Sequence, residues 1–181
     1  MKKMMLLLAS LVALTACSQS MQDTKESTSN QTTKETKVSE SSKEEKGLKF
    51  VVAPQYEGKT SELIELGKKL VKEHPELGSE GNMALYFTGA ISEGRAALML
   101  VNKTDVDIKK DLNFSITWSY DSKTIFENQK VSYFIKDRGE LPSHTATMIL
   151  LPLNEEQMKI VDGMSDPSKM VLRMSDVNAV E

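Results

Sequence analysis

Leu112-Asn113-Phe114-Ser115-Ile116-Thr117-Trp118-Ser119-Tyr120 alternates without a fault, apolar residues at every even position and polar ones at every odd position. Side chains on a strand point in turn to opposite faces, so a period of two over nine residues predicts a β-strand with one buried face and one wet face. One-sided burial of this kind belongs to antiparallel sheets. The rest of the fold is read outward from this segment.

Downstream, Asp121-Ser122-Lys123 predicts a turn into Thr124–Phe126, and Lys130–Lys136 continues with Val131, Tyr133 and Ile135 in alternation. Asp137-Arg138-Gly139 and Pro142 signal a turn before a strand over Thr145–Leu151. Between Leu153 and Gly163 a short helix is expected, with Asn154 as N-cap, Gln157 completing a capping box, Leu153 and Met158 as a hydrophobic staple and Gly163 at the end. Lys169–Ser175 closes the domain as a strand with Met170, Leu172 and Met174 on one face.

Upstream, the polar stretch Lys103–Lys110 is a loop, and Ala84–Ser92 and Arg95–Asn102 are two apolar runs around Glu93-Gly94, a hairpin signal. Before Gly81 the period becomes helical. Leu63, Leu66 and Leu70, joined by Ile64 and Val71, form a stripe capped by Thr60 or Ser61 and ended by His74-Pro75. Glu62 and Glu65 near its start and Lys68, Lys69 and Lys72 near its end suit the helix dipole. Its mixed charges favour packing on the protein's own sheet over a membrane surface. Leu48–Ala53 reads as a short strand closed by Pro54. Strands joined by hairpin-like turns, with few helices between them, predict a mainly β antiparallel sandwich with an N-terminal helix and a short helix before the last strand.

The segment 1–47 is of another kind. Lys2 and Lys3 precede an apolar run from Met4 to Leu14 interrupted only by Ser10, and Leu14-Thr15-Ala16 leads to Cys17, the single cysteine among 181 residues. Eleven residues rise only about 16 Å as a helix against a hydrocarbon core of about 30 Å, so the run addresses the chain without spanning. From Ser18 to Gly47 only Met21 and Val38 are apolar, and five lysines stand against six acids. Such a composition does not bury enough surface to offset the entropy of ordering, which predicts a disordered spacer with a reach of about 30 Å. The organisation expected is therefore 1–16 signal peptide, 17–47 tether and 48–181 folded domain.

The start of the chain resembles the signal peptide and lipobox of bacterial lipoproteins. The resemblance implies cleavage after Ala16 and two acyl chains on Cys17, enough for lasting attachment. Loss of Lys2 and Lys3 takes the formal charge from −3 to −5. A mildly acidic chain without a basic stripe points away from nucleic acid. From about Ala84 to Leu153 the chain is also similar to immunoglobulin-like accessory domains of Gram-positive surface and secreted proteins, including the S-layer-associated (SLAP) type. The matching pieces are Val101-Asn102-Lys103-Thr104, Phe114 with Ile116, and Gly139-Glu140-Leu141-Pro142. This implies an immunoglobulin-like β-sandwich that binds or organises envelope components and does not catalyse.

Few residues carry recognisable chemistry. His74 precedes a proline and His144 lies beside a turn, neither in a metal-ligand spacing. Ser143 next to His144 is rejected as a hydrolase pair, because neighbours on a strand face opposite ways and no GxSxG elbow surrounds them. Asp105, Asp107 and Asp111 lack the glycine and closing glutamate of a calcium loop. Met170 and Met174 share parity with Leu172 and read as core rather than copper ligands, and no cofactor is implied. Trp118 shares parity with Leu112, Phe114 and Ile116, which favours the core. Exposed beside Tyr120 or Tyr133, it would make an aromatic platform for glycan or peptide. Trp118, Tyr120 and Tyr133 are therefore the candidate binding residues.

The expectation is a non-enzymatic binding or scaffolding module, lipid-anchored at the extracytoplasmic face of the cell membrane of a Gram-positive cell, with an envelope protein or glycan as partner. The alternatives are an envelope hydrolase using the carboxylates of Asp137 and Glu140, and a small solute-binding lipoprotein.

Overall fold

The computed structural model describes residues 47–180, so Leu14, Thr15, Ala16, Cys17 and the rest of the leader and tether up to Lys46 lie outside the described residues. Seven strands and three α-helices follow in the order β1 (Lys49–Phe50), α1 (Glu62–Glu73), β2 (Met83–Ser92), β3 (Arg95–Asn102), β4 (Leu112–Tyr120), β5 (Lys123–Tyr133), α2 (Ile135–Arg138), β6 (Thr145–Pro152), α3 (Glu155–Asp162) and β7 (Met170–Ala179). They build two sheets, one ordered β1-β6-β3-β2 and the other β5-β4-β7. All pairings are antiparallel except the two-residue parallel contact of β1 with β6. The architecture is mainly β, and an immunoglobulin-like sandwich fits it.

β4 has the bounds its alternation predicts and runs between β5 and β7. Its even residues Leu112, Phe114, Ile116, Trp118 and Tyr120 enter one core with Leu98 and Leu100 of β3 and Ile149 and Leu151 of β6, which is how the two sheets are joined. β3 is buried on both faces, which explains its unbroken apolar run. Its odd residues Met99 and Val101 face a second core made with Leu48, Ala146 and Val71 of α1. The hairpin turns at Glu93-Gly94 and Asp121-Ser122 hold both central residues at positive φ, the twist that suits two-residue connections.

α1 is capped by Ser61, whose Oγ accepts the Ile64 N–H at 3.3 Å. Its buried line is Ile64, Gly67 and Val71, one position round from the leucine stripe that spacing alone suggests. Gly67 is the reason: a Cβ there would stand 2.3 Å from the Phe50 ring, so the missing side chain lets that ring lie against the helix. In α3 the capping box is complete, with Asn154 Oδ1 accepting from Gln157 N and Gln157 Oε1 accepting from Asn154 N, both at 2.8 Å.

Two expected strands differ. Leu48–Ala53 keeps only Lys49–Phe50 in strand form before a 3₁₀ turn at Pro54–Tyr56. Lys130–Lys136 is instead the end of one long β5, bulged near Asn128 at φ 50°, while Ile135 begins α2. The Asp111 carboxylate captures the Ile135 N–H at 2.7 Å and Gly139 N–H donates to Ile135 O at 2.7 Å, turning the chain out of the ladder.

Candidate functional site

The aromatic trio does not form a surface. Trp118 and Tyr133 are wholly buried and Tyr120 is 9% exposed, so Trp118 takes the core position its parity favours, and the binding platform that its exposure beside Tyr120 or Tyr133 would have made is corrected. Trp118 stacks at tilted angles on Phe87 and Phe126, with centroids 4.9 and 6.0 Å away. Tyr133 donates its hydroxyl to Gly139 O at 3.0 Å, and burial pushes its pKa up to about 12. Tyr120 Oη accepts the N–H groups of Ser165 and Asp166, bonds that hold its phenol below the usual tyrosine range. Each tyrosine is thus a clasp for a neighbouring loop. Parity placed all three on the core face, and the sheet that covers that face leaves no platform.

Exposed aromatics occur elsewhere. Tyr56 is 50% and Phe134 47% exposed, and both line a groove of about 480 Å³. Its origin is the early end of β1. Lys49 N–H donates to His144 O at 3.1 Å and Val51 N–H to Ala146 O at 2.8 Å. The Thr147 hydroxyl then takes Val51 O at 3.0 Å, and the chain turns away at Pro54. Beyond that point, among the described residues, β6 has a strand neighbour only on its β3 side.

Met148 and Leu150 lie along this stretch, Phe50, Leu63 and Ile64 stand toward α1, and Phe134, Asp137 and Arg138 come from the α2 segment. Ser92, Glu93 and Arg95 reach in from the first hairpin, where Arg95 pairs with Glu93. The volume lies within the ordinary range for ligand sites. Phe134 carried a readable signal: it falls out of phase with Val131, Tyr133 and Ile135, so a side chain of that size was bound for the outer face. Tyr56, in a loop after Pro54, carried none.

The expected acids separate. Asp137 lines the groove, and Glu140, past Gly139, is exposed and not part of its lining. The aspartates of 105–111 go different ways: Asp107 Oδ1 accepts Ser143 N–H at 3.0 Å, its Oδ2 meets Lys109 at 3.3 Å, and Asp111 binds Ile135. Among the described residues no group of three acidic, histidine or cysteine side chains is placed to hold a metal. Met170 and Met174 pack against the main core.

Ser143 and His144 do meet, contrary to the strand argument. They lie before β6 begins, and the φ of 56° at His144 lets Ser143 Oγ reach His144 Nδ1 at 2.7 Å. His144 Nε2 is 3.0 Å from Glu80, which also pairs with the buried Lys103 at 3.2 Å. The hydrogen bond from His144, followed by that from Lys103, holds the Glu80 carboxyl below the usual range. Ser143 Oγ donates to Thr104 O at 2.6 Å, so its proton is directed to a carbonyl and not to the imidazole. In a hydrolytic triad the serine and the acid occupy opposite nitrogens from those seen here. The cluster ties the loop before β2 to β3 and β6.

A second serine, Ser115, lies 2.8 Å from Lys130 Nζ and donates to Asp176 at 2.7 Å. Ser115, then Lys130, keep the Asp176 carboxyl below its usual range, which makes it a weak proton acceptor. This polar group covers Ser115 on the outer face of β4, where alternation alone expected open water.

The chain matches no family model, no curated protein and no solved structure.

Proposed function

We propose that the chain is a lipid-anchored binding or scaffolding module of the cell envelope, held at the extracytoplasmic face through Cys17 and engaging its partner in the groove beside β6. The groove carries this reading: two large aromatics stand half exposed at a concave site bordered by the part of β6 beyond β1, which among the described residues has no strand neighbour on that side. The lipobox-like Leu14-Thr15-Ala16-Cys17 supports the anchor, and the polar composition of 18–47 suits a spacer.

The anchor is tested in cells by palmitate labelling and fractionation of the full chain and its Cys17→Ala form. Labelling and membrane retention that vanish together in the variant support it, and retention unchanged in the variant refutes it. The binding role is tested with a photo-crosslinking residue at position 134, against a control at position 117 on the outer face of β4. A specific adduct from position 134 alone supports the groove, and equal or absent adducts refute it.

A further inference from the structure

The open edge of β6 has a chemistry that narrows the partner. We propose that an extended polypeptide segment of another protein lies in the groove as an added strand beside Met148 and Leu150, a proposal that rests on reading the chain as a binding module. Ala146 O already receives the Val51 N–H, and the main-chain groups of a strand repeat their direction every second residue. Met148 and Leu150 therefore turn their N–H and C=O groups to the side that β1 has left. The edge ends at Pro152, which has no N–H to offer.

A second main chain supplies donors and acceptors at this spacing. It continues the row that β1 begins on His144 and Ala146. An apolar small molecule would cover these groups without pairing them, at the cost of desolvating them. Strand addition also explains the flanking surfaces: alternate side chains of an added strand point to opposite faces, and Phe50, Leu63, Ile64 and Phe134 offer apolar walls for them. The charges at the site are balanced, Glu93 against Arg95 and Asp137 beside Arg138, so the occupant is selected by backbone and apolar side chains and not by net charge. The chain's own stretch 18–46 holds only Met21 and Val38 as apolar residues, which fits this site poorly and directs the proposal to a partner.

The test uses the full-length lipidated chain in detergent micelles. Displayed random peptides about nine residues long, enough to span the edge, are selected on it. An enriched peptide is then measured by fluorescence anisotropy and by amide hydrogen exchange. The expected result is enrichment of alternating apolar sequences whose binding slows exchange at the Met148 and Leu150 amides about tenfold or more. Phe134→Ser, an exposed position that leaves the core intact, weakens binding about fivefold or more. Peptides that bind while both amides exchange as before overturn strand addition, and so does failure to enrich any peptide. An adduct at position 134 that proves to be glycan or small molecule overturns this inference while leaving the binding module standing. Loss of every adduct there removes the module itself.

Discussion

Replacing Trp118 separates two roles that the sequence left open for it. The side chain is fully buried against Phe87 and Phe126, and among the described residues its indole Nε1–H has no hydrogen-bond partner. Trp118→Ala removes the packing and leaves a cavity between the sheets, so the domain is expected to lose about 3–5 kcal/mol. Trp118→Phe loses part of the ring contact but also removes the orphan N–H. An unsatisfied buried donor costs about 1–3 kcal/mol, so the two effects offset and the variant should lie within about 1.5 kcal/mol of the parent. The assay is urea unfolding followed by far-ultraviolet circular dichroism, since the variants lose the only tryptophan of the chain. In the parent, that single fluorophore should resist quenching by iodide. A Trp118→Ala midpoint close to the parent with unchanged slope would refute the core assignment, and a Trp118→Phe loss as large as that of Trp118→Ala would refute the role given to the N–H.

Gly67→Ala gains about 1 kcal/mol of helix propensity but drives a methyl into the Phe50 ring, so a net loss of about 1–2 kcal/mol is expected in thermal unfolding, with a stabilised variant as the refuting result. Glu80→Gln bears on acid stability: because the folded carboxyl titrates below its ordinary 4.5, its contribution is present above that pH and is lost as pH falls through the folded value. The variant should be less stable at neutral pH, where Lys103 loses its counter-charge, and should show a shallower decline below pH 4.5 in acid titrations followed by circular dichroism. Tyr133 works in the opposite direction, its neutral form favoured by burial, so stability is complete below pH 10 and falls as pH rises toward about 12. Tyr133→Phe should lose about 1 kcal/mol at neutral pH with the hydroxyl bond to Gly139 and should flatten that alkaline decline, and an unchanged alkaline slope would count against the assignment.

What could be read in advance was local. The period of two in Leu112–Tyr120, the Glu93-Gly94 turn, a cap at Thr60 or Ser61 and the Asn154/Gln157 box each depend on residues a few positions apart, and all four are present in the fold, Ser61 being the residue that caps. The errors arose where a distant group competed for a backbone bond. Thr147 captures Val51 O and shortens β1, and Asp111 captures Ile135 N–H and turns a strand end into α2. The offset of the buried line on α1 is likewise set by a residue distant in sequence, since the Phe50 ring of β1 packs where a Gly67 side chain would stand.

Alternation along β4 determined that Trp118 and Tyr120 would share a side, alternation along the following strand grouped Tyr133 with Val131, and the turn residues determined which strands would form hairpins. Which of the two faces would be covered, and where a strand edge would be left open, depended on partners remote in the chain: the opposing sheet for the aromatics, and Thr147 with Pro54 for the groove at β6. Periodicity is written in neighbouring residues, whereas exposure belongs to the packed assembly, because a side chain is buried only by what comes to rest against it.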